Sequence, residues 1–157
     1  MSKSKSGFEP VSDLKKHIGF WMRFVSNHVS HGFARKLEQS GVTVAEWVVL
    51  REMYGRGEVT PSEVAERTGM TRGAASKLVD RLVEKKLVTR RERADDRRYQ
   101  DIALTEAGAG LVPKLGTLAD NNDEEFFCVL STAERTELLK LLKKLVQSHG
   151  LHMLPTN

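Results

Sequence analysis

The sequence predicts a mainly α fold (α+β) with one small β-hairpin, framed by N- and C-terminal helices, and three observations carry that expectation. Apolar residues recur every three or four positions through most of the 157 residues, the spacing of amphipathic helices. Three S/T-x-x-E boxes, Thr43 with Glu46, Thr60 with Glu63 and Ser131 with Glu134, stand ahead of such runs and mark helix starts. Between residues 87 and 104 the pattern changes to two short strand-like runs around a charged turn.

Taken in order, Leu14, Ile18, Trp21, Val25, Val29 and Phe33 predict one long amphipathic helix from Ser12 to about Glu38, closed by Gly41. Thr43 opens a second helix bearing Trp47, Val48, Leu50 and Met53, broken at Gly55-Arg56-Gly57. Thr60-Pro61 starts a short third helix, with proline where its missing N–H is harmless, and Gly69 ends it. Thr71 caps a fourth helix running to about Lys85. Leu87–Arg91 and Tyr99–Leu104 then read as strands, with Ala94-Asp95-Asp96-Arg97 as the turn. Thr105 caps a fifth helix, interrupted by Gly108, Gly110, Pro113 and Gly116, with Pro113 expected to bend it. The polar run Asp120–Asp123 reads as a solvated patch or a further interruption, and a leucine-rich last helix spans Ser131 to about Ser148.

Composition narrows the class. With 39% hydrophobic and 29% charged residues the chain is an ordinary soluble protein of one domain. It has no run of roughly 18 apolar residues to span a membrane and no apolar leader, so a cytoplasmic location is expected. One cysteine, Cys128, excludes an intramolecular disulfide, and its neighbours Phe126, Phe127 and Val129 predict a buried structural thiol. His28 and His31 share a helix face, yet without a placed Cys, Asp or Glu they do not make a metal site. No nucleophile elbow, phosphate loop or catalytic carboxylate pair is evident, which argues against an enzyme. No cofactor is expected.

Residues 60–86 have the layout of a helix-turn-helix. On a 3.6-residue wheel the second helix gathers Ala74, Ala75, Leu78, Val79, Leu82 and Val83 on one side, and Arg72, Gly73, Ser76, Lys77, Asp80 and Arg81 on the other. Gly73 on the polar side costs about 1 kcal/mol of helix propensity against alanine, which close approach to another molecule would justify. Such a helix can enter the major groove of double-stranded DNA, with Thr71, Arg72, Ser76 and Lys77 reaching base edges or phosphates. An ordinary solvated face fits this helix alone equally well. The hairpin weighs against that reading: residues 72–98 hold ten basic and five acidic side chains, an excess larger than the +4 of the whole chain. Arginine at a hairpin tip suits a narrow minor groove.

Asp96-Arg97-Arg98 in the hairpin, Leu104-Thr105-Glu106-Ala107-Gly108 after it, and Ser76-Lys77-Leu78-Val79-Asp80-Arg81-Leu82 in the preceding helix together resemble the MarR family of winged helix-turn-helix transcriptional regulators. The similarity in order and spacing spans roughly residues 12–148, and the distinctive motifs lie in 60–108. The resemblance implies a sequence-specific DNA-binding regulator, a repressor by type. It makes Arg98 the minor-groove arginine, Asp96 the carboxylate that orients it, and Arg97 a phosphate contact. Lys86 stands where the family usually has glycine, which puts the angle of the wing in question.

The terminal helices carry more apolar surface than a small wing unit can bury: Leu14, Ile18, Leu138, Leu141, Leu142 and Leu145, extended by Leu151, Met153 and Leu154. A self-complementary twofold contact would cover it, and the resemblance implies such a homodimer. The expected organisation is a disordered tail at 1–11, an N-terminal dimerisation helix at 12–42, the DNA-binding region at 43–104 and C-terminal dimerisation helices at 105–150, all in one compact domain. The resemblance also implies a small-molecule effector between the dimer helices and the wing unit. Trp21, Phe24, His28 and Trp47 are the candidate lining, although for the two tryptophans a core role fits their helical spacing better. Two other classes stay open on sequence alone: a winged module that pairs with protein, and an architectural DNA binder without sequence preference.

Overall fold

The computed structural model describes residues 9–96 and 98–152. A 3-10 turn at Leu14–Lys16 precedes α1 (Ile18–Leu37), which a second such turn, Glu38–Ser40, leads into α2 (Val44–Met53). Then come α3 (Pro61–Thr68), α4 (Arg72–Glu84), the hairpin strands β1 (Val88–Glu92) and β2 (Gln100–Leu104), α5 (Glu106–Phe127) and α6 (Thr132–Ser148). The two strands pair antiparallel with Val88 opposite Leu104 and Arg90 opposite Ile102. Val59, ahead of α3, exchanges two backbone hydrogen bonds with Ile102, at 2.9 and 2.8 Å, and ties the hairpin to the helices.

Local chemistry sets the helix starts. All three capping boxes form, with the hydroxyls of Thr43, Thr60 and Ser131 accepting from the third helical N–H and the glutamates reaching back. Each satisfies two donors that a helix start leaves orphaned. The apolar faces then meet in one core. Phe33 and Leu37 of α1, Val49, Leu50 and Met53 of α2, Leu78, Val79 and Leu82 of α4, Val88 and Ile102 of the hairpin and Val112 and Leu115 of α5 form a single cluster. Burying each such side chain contributes about 1.5–3 kcal/mol.

Three expectations are corrected. The first helix does not begin at Ser12: Asp13 caps a separate turn by accepting from the Lys15 N–H at 3.0 Å, and extended backbone at His17 delays α1 to Ile18. The apolar repeat runs through both pieces, which is why it suggests one helix. Likewise α5 is not interrupted by Gly108, Gly110, Pro113, Gly116 or the run Asp120–Asp123; it is one helix of 22 residues. Packing of Val112, Leu115 and Leu118 against the core offsets the roughly 3 kcal/mol that an interior proline costs. Within the polar run Asn122 is buried and donates through Nδ2 to the Val29 carbonyl of α1 at 3.2 Å, so this stretch joins two helices. Finally, Cys128 is exposed, because α5 continues to Phe127 and leaves it on the outer corner before α6; its Sγ donates to the Glu125 carbonyl.

Helix α6 contributes nothing to the core. None of its residues is buried, and it is held to α5 mainly by Arg135, which makes a two-pronged bond to Glu124 (2.6 and 3.1 Å) and a third to the Leu130 carbonyl. Leu138, Leu141, Leu142 and Leu145 are 37–49% exposed, and Leu14, Ile18 and Leu151 are more open still. Met153 and Leu154 lie outside the described residues. Among those described, no helix is long and apolar enough to cross a membrane.

Candidate nucleic-acid interface

The helix-turn-helix is built from α3 and α4. Gly69 takes the left-handed conformation (φ 71°) that ends α3, and after Met70 the Thr71 hydroxyl accepts from the Ala74 N–H at 3.1 Å to start α4. Ala75, Leu78, Val79 and Leu82 are buried and fix the roll of α4 about its axis. That roll turns Arg72, Gly73, Lys77 and Arg81 fully outward and leaves Thr71 and Ser76 half-buried at the edge. Ala74, which the wheel put on the inner side, is exposed, and Val83 is only half-buried. A Cβ on Gly73 would meet no atom of this chain, so nothing internal asks for glycine there.

The end of α4 is closed by a Schellman arrangement: Leu87 N–H donates to the Leu82 carbonyl and Lys86 N–H to that of Val83. Its left-handed residue is Lys86, at φ 59°, so the turn keeps the usual geometry with a non-glycine in it. The Thr105 hydroxyl donates to the Lys86 carbonyl at 2.8 Å, and a Cβ on Gly108 would overlap the Leu87 carbonyl. Both contacts press the start of α5 against the base of the wing.

At the wing tip Arg98 donates to both Asp96 oxygens, from Nε at 3.1 Å and Nη2 at 3.0 Å, and its backbone N–H also donates to Asp96 at 3.0 Å. These bonds hold the Asp96 carboxyl below its ordinary pKa. The Arg98 side chain is nonetheless 88% exposed, an oriented guanidinium standing in solvent. Arg97 lies outside the described residues.

The other arginines of the hairpin are committed internally. Arg90 pairs with Asp80 of α4 at 2.6 Å, Arg91 with Glu58 at 2.8 Å, and Arg93 makes a two-pronged bond with Asp101 at 2.9 to 3.0 Å. Lys85 reaches across to Glu46 of α2. Among the described residues this leaves Arg72, Lys77, Arg81 and Lys86 as the basic side chains of 72–98 without a carboxylate partner. Counting charge along the chain could not separate the two groups, since Glu58 and Glu46 lie dozens of residues from their partners.

On the far side, Trp21, Phe24 and His28 follow one another along α1, with ring centroids 6.4 and 4.5 Å apart. The His28 Nδ1 lies 2.7 Å from the Phe24 carbonyl, and the Trp21 indole donates to the Lys15 carbonyl at 2.8 Å. Trp47 has other company: it packs edge-on against Phe33 at 6.2 Å, and its ring lies 3.7 Å from where a Cβ on Gly116 would stand. An apolar groove of about 640 Å³ opens between Trp21 and Val25 of α1, Phe126 and Phe127 of α5, and Leu138 and Leu142 of α6.

Comparison with known proteins bears on this geometry. Residues 40–98 match the family model described as MarR family. The chain is 38% identical over 104 residues to the HTH-type transcriptional repressor MdtR of Bacillus subtilis, an alignment covering 66% of this chain and 64% of that protein. Among solved structures it resembles a mutant MarR from E. coli complexed with operator DNA, at 27% identity and a TM-score of 0.77, covering 86% of this chain and 99% of the other. The S. aureus MepR–DNA complex gives 27% identity and a TM-score of 0.77, with 84% and 98% covered.

Proposed function

We propose that this chain is a member of the MarR family it resembles, a DNA-binding transcriptional regulator and a homodimer that reads a pseudo-palindromic operator. The observation that carries the reading is the outer face of α4: among the described residues Arg72, Lys77 and Arg81 have no carboxylate partner and surround an unfilled glycine, and the wing adds an arginine that Asp96 already holds in place. The solved structures it resembles include a MarR complex with operator DNA and a MepR–DNA complex.

In this mechanism α4 enters the major groove, and Thr71, Arg72, Ser76 and Lys77 meet base edges or phosphates. The Thr71 hydroxyl accepts the capping N–H and still has its own proton to donate. Arg81 and Arg97 meet phosphate, and Arg98 enters the flanking minor groove with its rotamer already selected by Asp96, so less entropy is lost on binding. The exposed leucines of α6, with Leu14 and Ile18, form the twofold contact. That places two recognition helices over half-sites about one helical turn, roughly 10 bp, apart. A small-molecule effector near Trp21, Phe24 and His28 would act by binding one spacing of the recognition helices better than another. The regulator works in the cytoplasm, needs no cofactor and catalyses no reaction.

In vitro selection from a random duplex library tests the proposal. An enriched inverted repeat is the expected result. Binding without enrichment would make the protein an architectural DNA binder, and no binding at moderate salt would leave a protein-interaction module. Arg98→Ala should weaken binding to the selected duplex while the dimer persists.

A further inference from the structure

Glu46 is the one buried charged side chain among the described residues, 1% exposed, at the first turn of α2. Its carboxylate accepts the Thr43 N–H at 2.8 Å and receives Lys85 Nζ on both oxygens, at 3.0 and 2.7 Å. The same ammonium donates to the Gly41 carbonyl at 2.7 Å. Lys85 is the C-cap of α4, immediately before the left-handed turn that launches the wing. Gly41 and Thr43 form the corner through which α1 hands the chain to α2. One ammonium and one carboxylate therefore gather three things: the end of the proposed dimerisation helix, the start of α2 and the end of the proposed recognition helix.

The rest of the contact between α2 and α4 is apolar, built from Val49, Leu50, Met53, Leu78, Val79 and Leu82. Apolar packing sets the roll of α4, but the attraction itself is non-directional and does not single out one crossing angle. Charge-assisted hydrogen bonds are short and directional. Each charge also sits at the favourable pole of its helix dipole, the carboxylate at the start of α2 and the ammonium at the end of α4.

We infer that the Glu46–Lys85 pair is a positioning clamp that fixes the angle of the recognition helix relative to α1, and so the half-site spacing the dimer accepts. The spacing part rests on the regulator reading above; the angular part stands without it. Burial pushes the Glu46 carboxyl up, but the hydrogen bonds from Lys85 and Thr43 and the Lys85 charge outweigh it and hold the pKa below the usual carboxylate range. The clamp is thus ionised at neutral pH.

Glu46→Gln separates clamp from fold, because glutamine in this position still completes a capping box and fills the same volume. Lys85→Met strands a buried carboxylate, so the companion variant is the pair E46Q/K85M, with Lys85→Arg as the charge-preserving rescue. Nitroxides on Arg23→Cys of α1 and Lys77→Cys of α4, in a Cys128→Ser background diluted with unlabelled chains, report the angle within one protomer without DNA. The expected result is a broader or shifted distance distribution in E46Q and in the pair, restored in K85R. In parallel, the duplex selected by the wild type is compared with versions whose spacer is one base pair longer or shorter. The preference for the selected spacing should fall roughly tenfold, equivalent to about 1.4 kcal/mol, with the dimer intact. Unchanged distances in E46Q would overturn the clamp even if stability fell. Changed distances with unchanged spacing preference would overturn its role in operator choice. If the wild type enriches no duplex, the regulator reading fails, and the distances still decide the clamp.

Discussion

Arg98 and Lys86 show how much depends on one side chain and its nearest oxygen. Arg98 is exposed yet held by Asp96, so removing the carboxylate and removing the arginine should differ. Asp96→Ala should weaken DNA binding less than Arg98→Ala, measured by titration at fixed salt, since the charge stays and only its orientation is lost. Because the Asp96 pKa is lowered, chiefly by the Arg98 side chain, the Asp96–Arg98 pair holds at neutral pH and releases only as pH falls through that lowered value. Lys86 departs from the glycine usual in the family the chain resembles, and the sequence could show that departure but not its outcome. The turn keeps its shape because the carbonyls of Leu82 and Val83 require partners, and lysine accepts the left-handed region to supply them. That conformation costs a non-glycine residue about 1–2 kcal/mol. Lys86→Gly should therefore raise stability by about 1 kcal/mol in urea denaturation. The buried carboxylate behaves in the opposite sense. Glu46→Gln should cost about 1–3 kcal/mol at neutral pH. A carboxylate with a lowered folded pKa stabilises above its unfolded pKa and loses that contribution as pH falls through the folded value, so the difference between wild type and variant should close in acid.

Helices α2, α3 and α4 were legible because their signals are local: a capping residue and a periodic face, with a glycine to stop α2 and α3. Helix α5 was not, because what sustains it is distant in sequence. Three glycines, a proline and four polar residues argue for breaks, and only contact with α1, α2 and the wing shows why there are none. Gly108 is there for closeness, not for flexibility, since the Leu87 carbonyl occupies the space a methyl would need. Gly108→Ala should cost about 1–3 kcal/mol, read from its urea midpoint, by pushing α5 off the wing base. An unchanged midpoint would mean that α5 and the wing can separate freely. The first helix failed for the reverse reason. Its periodicity is genuine, but Asp13 offers the backbone a competing cap, which apolar spacing does not register.

Across the molecule, the count of basic residues located the candidate interface but overstated its reach. Arg90, Arg91 and Arg93 face carboxylates, two of which, Glu58 and Asp101, lie outside the recognition helix, and only folding brings such partners together. The salt dependence of DNA binding should record the distinction. Arg72→Ala or Arg98→Ala should each reduce the slope of log affinity against log salt by about 1, whereas Arg93→Ala should leave it nearly unchanged. The same scale governs the leucine face of α6. Leu142→Lys should shift the chain towards monomer in sedimentation while the thermal unfolding of the wing unit stays close to wild type, because no residue of α6 lies in the core. That independence has a consequence during synthesis. Chains emerge from the ribosome N-terminal part first and fold as they come. Every buried core residue, up to Leu115, is translated before α6. The core of the wing unit therefore leaves the ribosome ahead of the adhesive leucine helix, which shortens the interval in which an unpaired apolar face and an unfolded core coexist in solution on one nascent chain.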